Sequence, residues 1–100
     1  MVNIPILDDN QIQENLKETP LWKFKDKKII REFKFKDFKE SLNFIDLLIE
    51  IFEEMDHYPD IKIKYNKVIF ELSSYFVSDN LTEIDFILAK EIDRIYEENY

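Results

Sequence analysis

Glycine does not occur in this chain of 100 residues. Every turn that needs a positive φ must therefore be made by a residue with a Cβ, and Asn and Asp tolerate that region best. Asn66, between two strand-like runs, and Asp79 or Asn80, ahead of the last helical segment, are the candidates. Cysteine is absent as well, which excludes a disulfide framework and thiolate chemistry. No run of eighteen apolar residues exists, so no transmembrane helix is expected. Residues 1–10 lack the basic start and apolar block of a secretory leader. A soluble, cytoplasmic protein is the expectation. Chemical motifs are scarce too: there is no Gly-rich phosphate loop, no His/Cys cluster with zinc spacing and no plausible Ser-His-Asp set. Glu53, Glu54, Asp56, His57 and Asp60 could form an oxygen-rich metal site, but solvated helix-end acids explain them better. No metal and no cofactor are expected.

Positive charge is in short supply. Fourteen Lys/Arg stand against 22 Asp/Glu, a net charge of −8. That balance argues against nucleic acid, whose binding depends on neutralising phosphates. The distribution is uneven: residues 17–39 hold nine Lys/Arg and four Asp/Glu, or +5, leaving −13 for the rest. A solvated hairpin face is the simpler reading, an anion-binding patch the other.

What is present suits one domain over residues 1–100, since 45% of the residues are hydrophobic and 15% aromatic, enough for a core. Asp8 or Asp9 can cap a short first helix reaching about Leu16, with Ile12 and Leu16 turned inward. Pro20 ends it. Leu21-Trp22-Lys23-Phe24 is a candidate strand, Asp26-Lys27-Lys28 has turn composition, and residues 29–35 form a second strand. There Ile29, Arg31, Phe33 and Phe35 share one face. Asp37, with Glu40 three residues on, opens a second helix over about residues 38–56.

Phe38, Leu42, Ile45, Ile49 and Phe52 recur at helical spacing and form the expected core stripe of that helix. Phe44, Leu47 and Ile51 lie outside it, with Leu48 and Met55 between, so the apolar arc is wider than one sheet needs. Ile61, Ile63 and Tyr65 alternate with Lys62 and Lys64 in a half-buried strand. Val68, Phe70 and Leu72 alternate in its hairpin partner, with a tight turn at Asn66-Lys67. Thr82 and Asp85 form a capping pattern for a last helix carrying the stripe Ile84, Ile87, Leu88, Ile92 and Ile95. The order α-β-β-α-β-β-α predicts an α+β fold: a four-stranded antiparallel sheet with helices on one face.

The only histidine, His57, falls where the second helix gives way to a strand, because Pro59 disfavours helix before it. It is the one side chain whose unperturbed pKa lies near neutrality. A helix-end position off the core stripe predicts that its loss leaves folding nearly intact.

Around this point the sequence resembles a known family. Asp56-His57-Tyr58-Pro59, Tyr65-Asn66-Lys67-Val68, Leu72-Ser73-Ser74-Tyr75 and Leu81-Thr82-Glu83 with Asp85 follow the pattern of the pterin-4a-carbinolamine dehydratases. Trp22 and Phe33-Lys34-Phe35-Lys36-Asp37-Phe38 extend the similarity upstream. The family pattern has two histidines before the proline and a third after the Leu-Ser-Thr strand; the second is Tyr58 here and the third Tyr75. The resemblance implies dehydration of a 4a-hydroxytetrahydropterin to a quinonoid dihydropterin, without metal or cofactor. It implies acid–base positions at His57 and Tyr75 and a binding position at Tyr58. Asp56, Pro59, Ser73 and Ser74 would line the pterin site, and Trp22 would lie near it. It also implies a homo-oligomer, dimer or tetramer. The alternative reading is a member that keeps the pocket or the interface but has lost turnover and acts as a pterin-binding or protein-partner module.

Overall fold

The computed structural model describes residues 4–100; residues 1–3, part of the terminus considered above, lie outside the described residues. Helices α1 (Asp9–Leu16), α2 (Phe38–Met55) and α3 (Glu83–Asn99) alternate with strands β1 (Lys23–Lys25), β2 (Lys28–Lys34), β3 (Asp60–Lys64) and β4 (Lys67–Leu72). The order is α-β-β-α-β-β-α, and the strands form one antiparallel sheet in the spatial order β1-β2-β4-β3. This is the expected α+β fold. Among the described residues no helix is long and apolar enough to cross a membrane.

Each helix starts on a residue chosen for its side-chain oxygen. Asp8 accepts from the Gln11 amide while the Gln11 side chain reaches back, a complete capping box. Asp37 accepts from the amide of Glu40. Thr82 and Asp85 form a second reciprocal box at the head of α3. Such caps contribute about 1 kcal/mol each.

The core lies between one sheet face and the helices. Ile29 and Phe33 from β2 and Val68, Phe70 and Leu72 from β4 are buried there, as the strand alternation predicts. Arg31 shares that face. It spans the Phe33 ring at 4.1 Å and pairs with Asp93 of α3, which also accepts the Trp22 indole N–H at 2.8 Å. Burial pushes the Asp93 carboxyl up, and the Trp22 and Arg31 hydrogen bonds oppose that shift.

Four expectations are corrected. The buried stripe of α2 is Ser41, Phe44, Leu48 and Phe52, whereas Phe38, Leu42 and Ile49 of the expected stripe are exposed. The ring of Phe44 meets Tyr96 of α3 and Tyr100 at its C-cap, and this contact fixes which side of a broadly apolar helix turns inward. On α3, Ile87 is exposed and Phe86 takes its place in the core. Strand β3 is an edge strand with every residue exposed, because no helix covers its outer margin. The first strand also begins later than expected, at Lys23, because Trp22 is still in the preceding turn.

Among the described residues, the absence of glycine is met at six positive-φ positions: Asp26, Lys27, Asp56, Tyr65, Ser78 and Asp79. Asp79 was expected; Asn66 and Asn80 were not needed. The β3–β4 turn occupies Tyr65 and Asn66, one residue before the predicted pair, and places the positive φ on Tyr65. Asp26 and Lys27, at φ 52° and 63°, are the two central residues of the β1–β2 hairpin turn, the pattern for which Asp-Gly is the favoured pair. A left-handed conformation costs a residue with a Cβ about 1–2 kcal/mol. Lys27→Gly is therefore expected to stabilise the protein, by about 1 kcal/mol, read as a higher urea midpoint at unchanged slope. An unchanged or lower midpoint would show that the turn carries no such cost.

Candidate active site

Helix α2 ends on Asp56, which turns left-handed at φ 48° and ψ 46° and reverses the chain's direction. The next two residues consequently part company. His57 enters the protein and is 1% exposed, while Tyr58 remains on the surface at 47%. Pro59 is buried behind them and leads into β3.

His57 does not lie loose at a helix end. Its Nε2 is 2.7 Å from Oδ1 of Asp85, which is itself fully buried in the first turn of α3. The second carboxylate oxygen accepts from the Ser74 hydroxyl at 2.8 Å and from the Thr82 amide at 2.9 Å. Ser74 and Thr82 hydroxyls are 2.9 Å apart. With both oxygens of Asp85 accepting, Nε2 of His57 is the protonated nitrogen, the tautomer that a buried carboxylate selects. The other ring nitrogen, Nδ1, is buried and has no hydrogen-bond partner among the described residues. The Phe76 ring stands edge-on to the imidazole, 6.3 Å between centroids.

Tyr58, Asp60, Glu71, Ser73, Tyr75 and Asp79 line a cleft of about 60 Å³. Tyr58, Ser73 and Tyr75 thus come together, whereas His57 is buried against Asp85 and does not line the cleft. The Tyr58 hydroxyl donates to the Glu53 carboxylate. That hydrogen bond, first of all, and the nearby charges of Glu53 and Asp56 push the phenol up to about 12. Tyr75 is 64% exposed on the short turn Tyr75–Val77. The segment that follows holds two left-handed residues, Ser78 and Asp79, and is closed by the Ser74 amide, which donates to the Asn80 carbonyl.

Other expected site residues are placed differently. Ser74 has no free group for a ligand: its amide donates to the Asn80 carbonyl, its carbonyl accepts from Val77, and its hydroxyl serves Asp85 and Thr82. Trp22 is buried against Phe33 and Asp93 and does not line the cleft. Asp56 is exposed and sets the turn through its backbone. The sequence reading treated Asp85 as a helix cap alone; a carboxylate has two oxygens, and only one was assigned. Glu53 was legible as the residue one helical turn before His57, but its partner depends on the left-handed bend at Asp56, which no side-chain pattern announces.

Fold and site together define a class: a small α+β protein with one buried imidazole anchored on a carboxylate and, lined by the residue that follows it, a small phenol-rimmed cleft. Comparison with known proteins makes it specific. Residues 5–95 match the family Pterin 4 alpha carbinolamine dehydratase. A protein of Sulfolobus acidocaldarius carrying the name pterin-4-alpha-carbinolamine dehydratase is 43% identical over 89 residues, covering 89% of this chain and 97% of its own. One of Picosynechococcus with the same name is 44% identical over 89 residues, covering 89% and 96%. A crystal structure of a transcriptional coactivator/pterin dehydratase from Brucella melitensis superposes with a TM-score of 0.85 at 29% identity, covering 91% of this chain and 98% of that one. A pterin dehydratase-like protein described as a RuBisCO assembly factor of the alpha-carboxysome shares the fold at a TM-score of 0.60 and 20% identity. The chain belongs to the pterin-4a-carbinolamine dehydratase family. By that membership it is a hydro-lyase acting on a pterin.

Two outcomes follow from the site. Asp85→Ala removes one member of a buried pair and strands His57 and Ser74, and is expected to cost about 3–5 kcal/mol; a loss under 1 kcal/mol in urea unfolding would show that the network is not holding the fold. His57→Ala is expected to destabilise as well, against the sequence-based expectation. The second outcome concerns alkaline pH. The raised Tyr58 phenol favours the protonated form in the native state. Its contribution is fully present below about pH 10, the usual tyrosine value, and is lost as pH rises through about 12. Absorbance at the tyrosinate band should show one phenol titrating late, missing in Tyr58→Phe and shifted down in Glu53→Gln. The same late titration in all three proteins would place it elsewhere.

Proposed function

We propose that this chain, as one unit, dehydrates 4a-hydroxytetrahydropterin through His57, at a rate lowered by the tyrosines at positions 58 and 75. The observation that carries the proposal is the imidazole itself: Nε2 is held by Asp85 while Nδ1 is unpartnered. In the reaction the C4a–O bond breaks, the oxygen gains a proton and leaves as water, and N5 loses its proton. One group must give a proton and one must take it. An oriented histidine does either near neutral pH. A phenol donates but is not a base there, and Tyr58 is a donor throughout the physiological range. Ser73 and the main chain around it supply polar contacts, and Ser74 acts through Asp85.

A cleft of about 60 Å³ is far below the roughly 300–1,000 Å³ of ligand pockets. Substrate entry therefore requires the Tyr75–Val77 segment to move, taking Phe76 off the imidazole. The same observation favours a second reading, the pterin-binding or partner module without turnover, since the cleft between the phenols is small and Phe76 stands against the one base.

The assay follows absorbance while 4a-hydroxytetrahydropterin, generated in place, loses water. His57→Ala, checked for folding, should lose about 10²–10⁴-fold in rate. Tyr75→His should raise the rate, more for one 4a stereoisomer than the other, and Tyr58→His should act on substrate affinity more than on turnover. Full activity in a folded His57→Ala protein would remove His57 from the mechanism. An inactive wild type rescued by restoring both histidines would mean a dehydratase scaffold that has lost its acid–base set.

Assembly belongs to the same proposal. Phe44 faces α3, and the hydroxyl of Ser41 donates to the Tyr65 carbonyl at the end of β3. The exposed stripe Phe38, Leu42 and Ile49 therefore flanks β3, whose Ile61 and Ile63 are also exposed. An apolar helix face beside an unpaired strand edge fits a second copy, as a homodimer or homotetramer. Leu42→Glu should reduce the mass measured by light scattering to 12.3 kDa; Leu47→Glu, on the opposite flank, should not. A wild-type mass of 12.3 kDa at micromolar concentration would end this part of the proposal.

A further inference from the structure

The side of the sheet away from the helices carries a set of lysines that do not line the cleft. Cross-strand partners share a face. The register Lys23↔Ile30, Lys25↔Lys28 and Ile30↔Glu71 therefore continues through Glu32↔Ile69 and Lys34↔Lys67 to Lys62↔Ile69 and Lys64↔Lys67. Seven lysines and three acids, Glu32, Asp60 and Glu71, stand on that face. The surplus is four positive charges, and with a chain total of −8 everything else carries −12. Lys28 is taken by Glu71 at 3.5 Å and Asp60 at 4.0 Å. The other six lysines form no ion pair among the described residues, and Lys23, Lys25, Lys34, Lys62 and Lys64 are exposed. This is where the basic stretch of residues 17–39 goes: its strand lysines join those of the second hairpin on one surface.

The face also has a floor. A depression of about 410 Å³ lies over Leu21, Ile30 and Ile69 between Lys23 and Lys25. A second, of about 190 Å³, begins at the same Ile69 and runs to Lys62. Together they make a groove across the strands, apolar along its centre, with Lys23, Lys25 and Lys62 on its margins beside Glu32, Asp60 and Glu71.

We propose that this groove binds an acidic polypeptide segment of a partner protein, with Glu or Asp side chains on the lysine margins and an apolar side chain over Ile30 and Ile69. Charge complementarity selects the partner class, and the groove's composition selects polypeptide over nucleic acid. The four strands place no aromatic side chain on this face, so bases find no stacking platform. Its cations are lysines, point charges without the planar fork that grips phosphate bidentately. Glu32, Asp60 and Glu71 interrupt any continuous run of phosphate contacts, whereas a peptide can place an uncharged residue opposite each. An apolar floor likewise suits alternate apolar side chains better than a sugar–phosphate backbone.

The test uses fluorescence anisotropy of the full chain with two labelled probes: a peptide of about twelve residues in which Glu and Asp flank two leucines, and an oligothymidylate of similar length. The peptide should bind, weaken as salt rises, and weaken at least tenfold in Lys23→Glu/Lys62→Glu. That double variant should keep its dehydratase rate and its unfolding midpoint, because both lysines are exposed and neither lines the cleft. Replacing the peptide's leucines by serine should also weaken binding, since the floor would lose its occupant. Absence of peptide binding, undiminished binding to the double variant, or tighter binding of the oligothymidylate would each overturn the proposal.

Discussion

The buried carboxylate of Asp85 is the interaction on which the site depends. It joins three parts of the chain that are distant in sequence: His57 after α2, Ser74 at the exit of β4, and Thr82 at the head of α3. Each donor is buried, so each would be left without a partner if the carboxylate were lost, and unpaired buried polar groups are costly. Fold stability and site geometry therefore rest on the same few hydrogen bonds. Cap, sheet end and imidazole cannot be adjusted separately. That coupling explains how a helix-terminal histidine, ordinarily a mobile surface group, is held with one defined nitrogen turned away from its anchor.

The sheet shows what local pattern can and cannot specify. Alternation in β2 and β4 is read correctly because a strand has only two faces, so five buried residues on one face leave no second choice. Helix α2 is different. Its apolar residues cover well over half of the circumference, and two stripes at the same helical spacing compete for the core. The choice between Phe38-Leu42-Ile49 and Phe44-Leu48-Phe52 falls to Tyr96 of α3 and Tyr100 at its C-cap, residues some fifty positions away. Strand β3 was misjudged for a related reason: alternation reports which side chains share a face, but burial depends on what lies above it, and β3 is at the margin.

The site was legible in parts. The family motifs marked His57, Tyr58, Ser73 and Tyr75, and the last three line one cleft while His57 is buried against Asp85. That His57 goes in and Tyr58 stays out was not legible, because it comes from the left-handed turn at Asp56. Asp usually caps helix starts; here, without glycine to end α2, it ends the helix. Nor did the sequence disclose that Ser74 faces inward and that its hydroxyl serves a carboxylate. The order Ser73-Ser74 presents two identical side chains, and only strand parity, carried one residue past the end of β4, separates the cleft-lining one from the buried one.

The parting of His57 and Tyr58 at that turn has a consequence for how such a protein can change over generations. The imidazole is bound into the scaffold, so a substitution there is paid in folding as well as in rate. The two phenols are on the outside, where a side chain can be exchanged for another with little effect on stability. Under the roles proposed for positions 58 and 75, catalytic strength can drift down, or be recovered, through surface replacements there that leave the buried network around Asp85 untouched. A lineage could then pass between working enzyme and quiet binding scaffold, in either direction, without giving up the interactions that hold the fold.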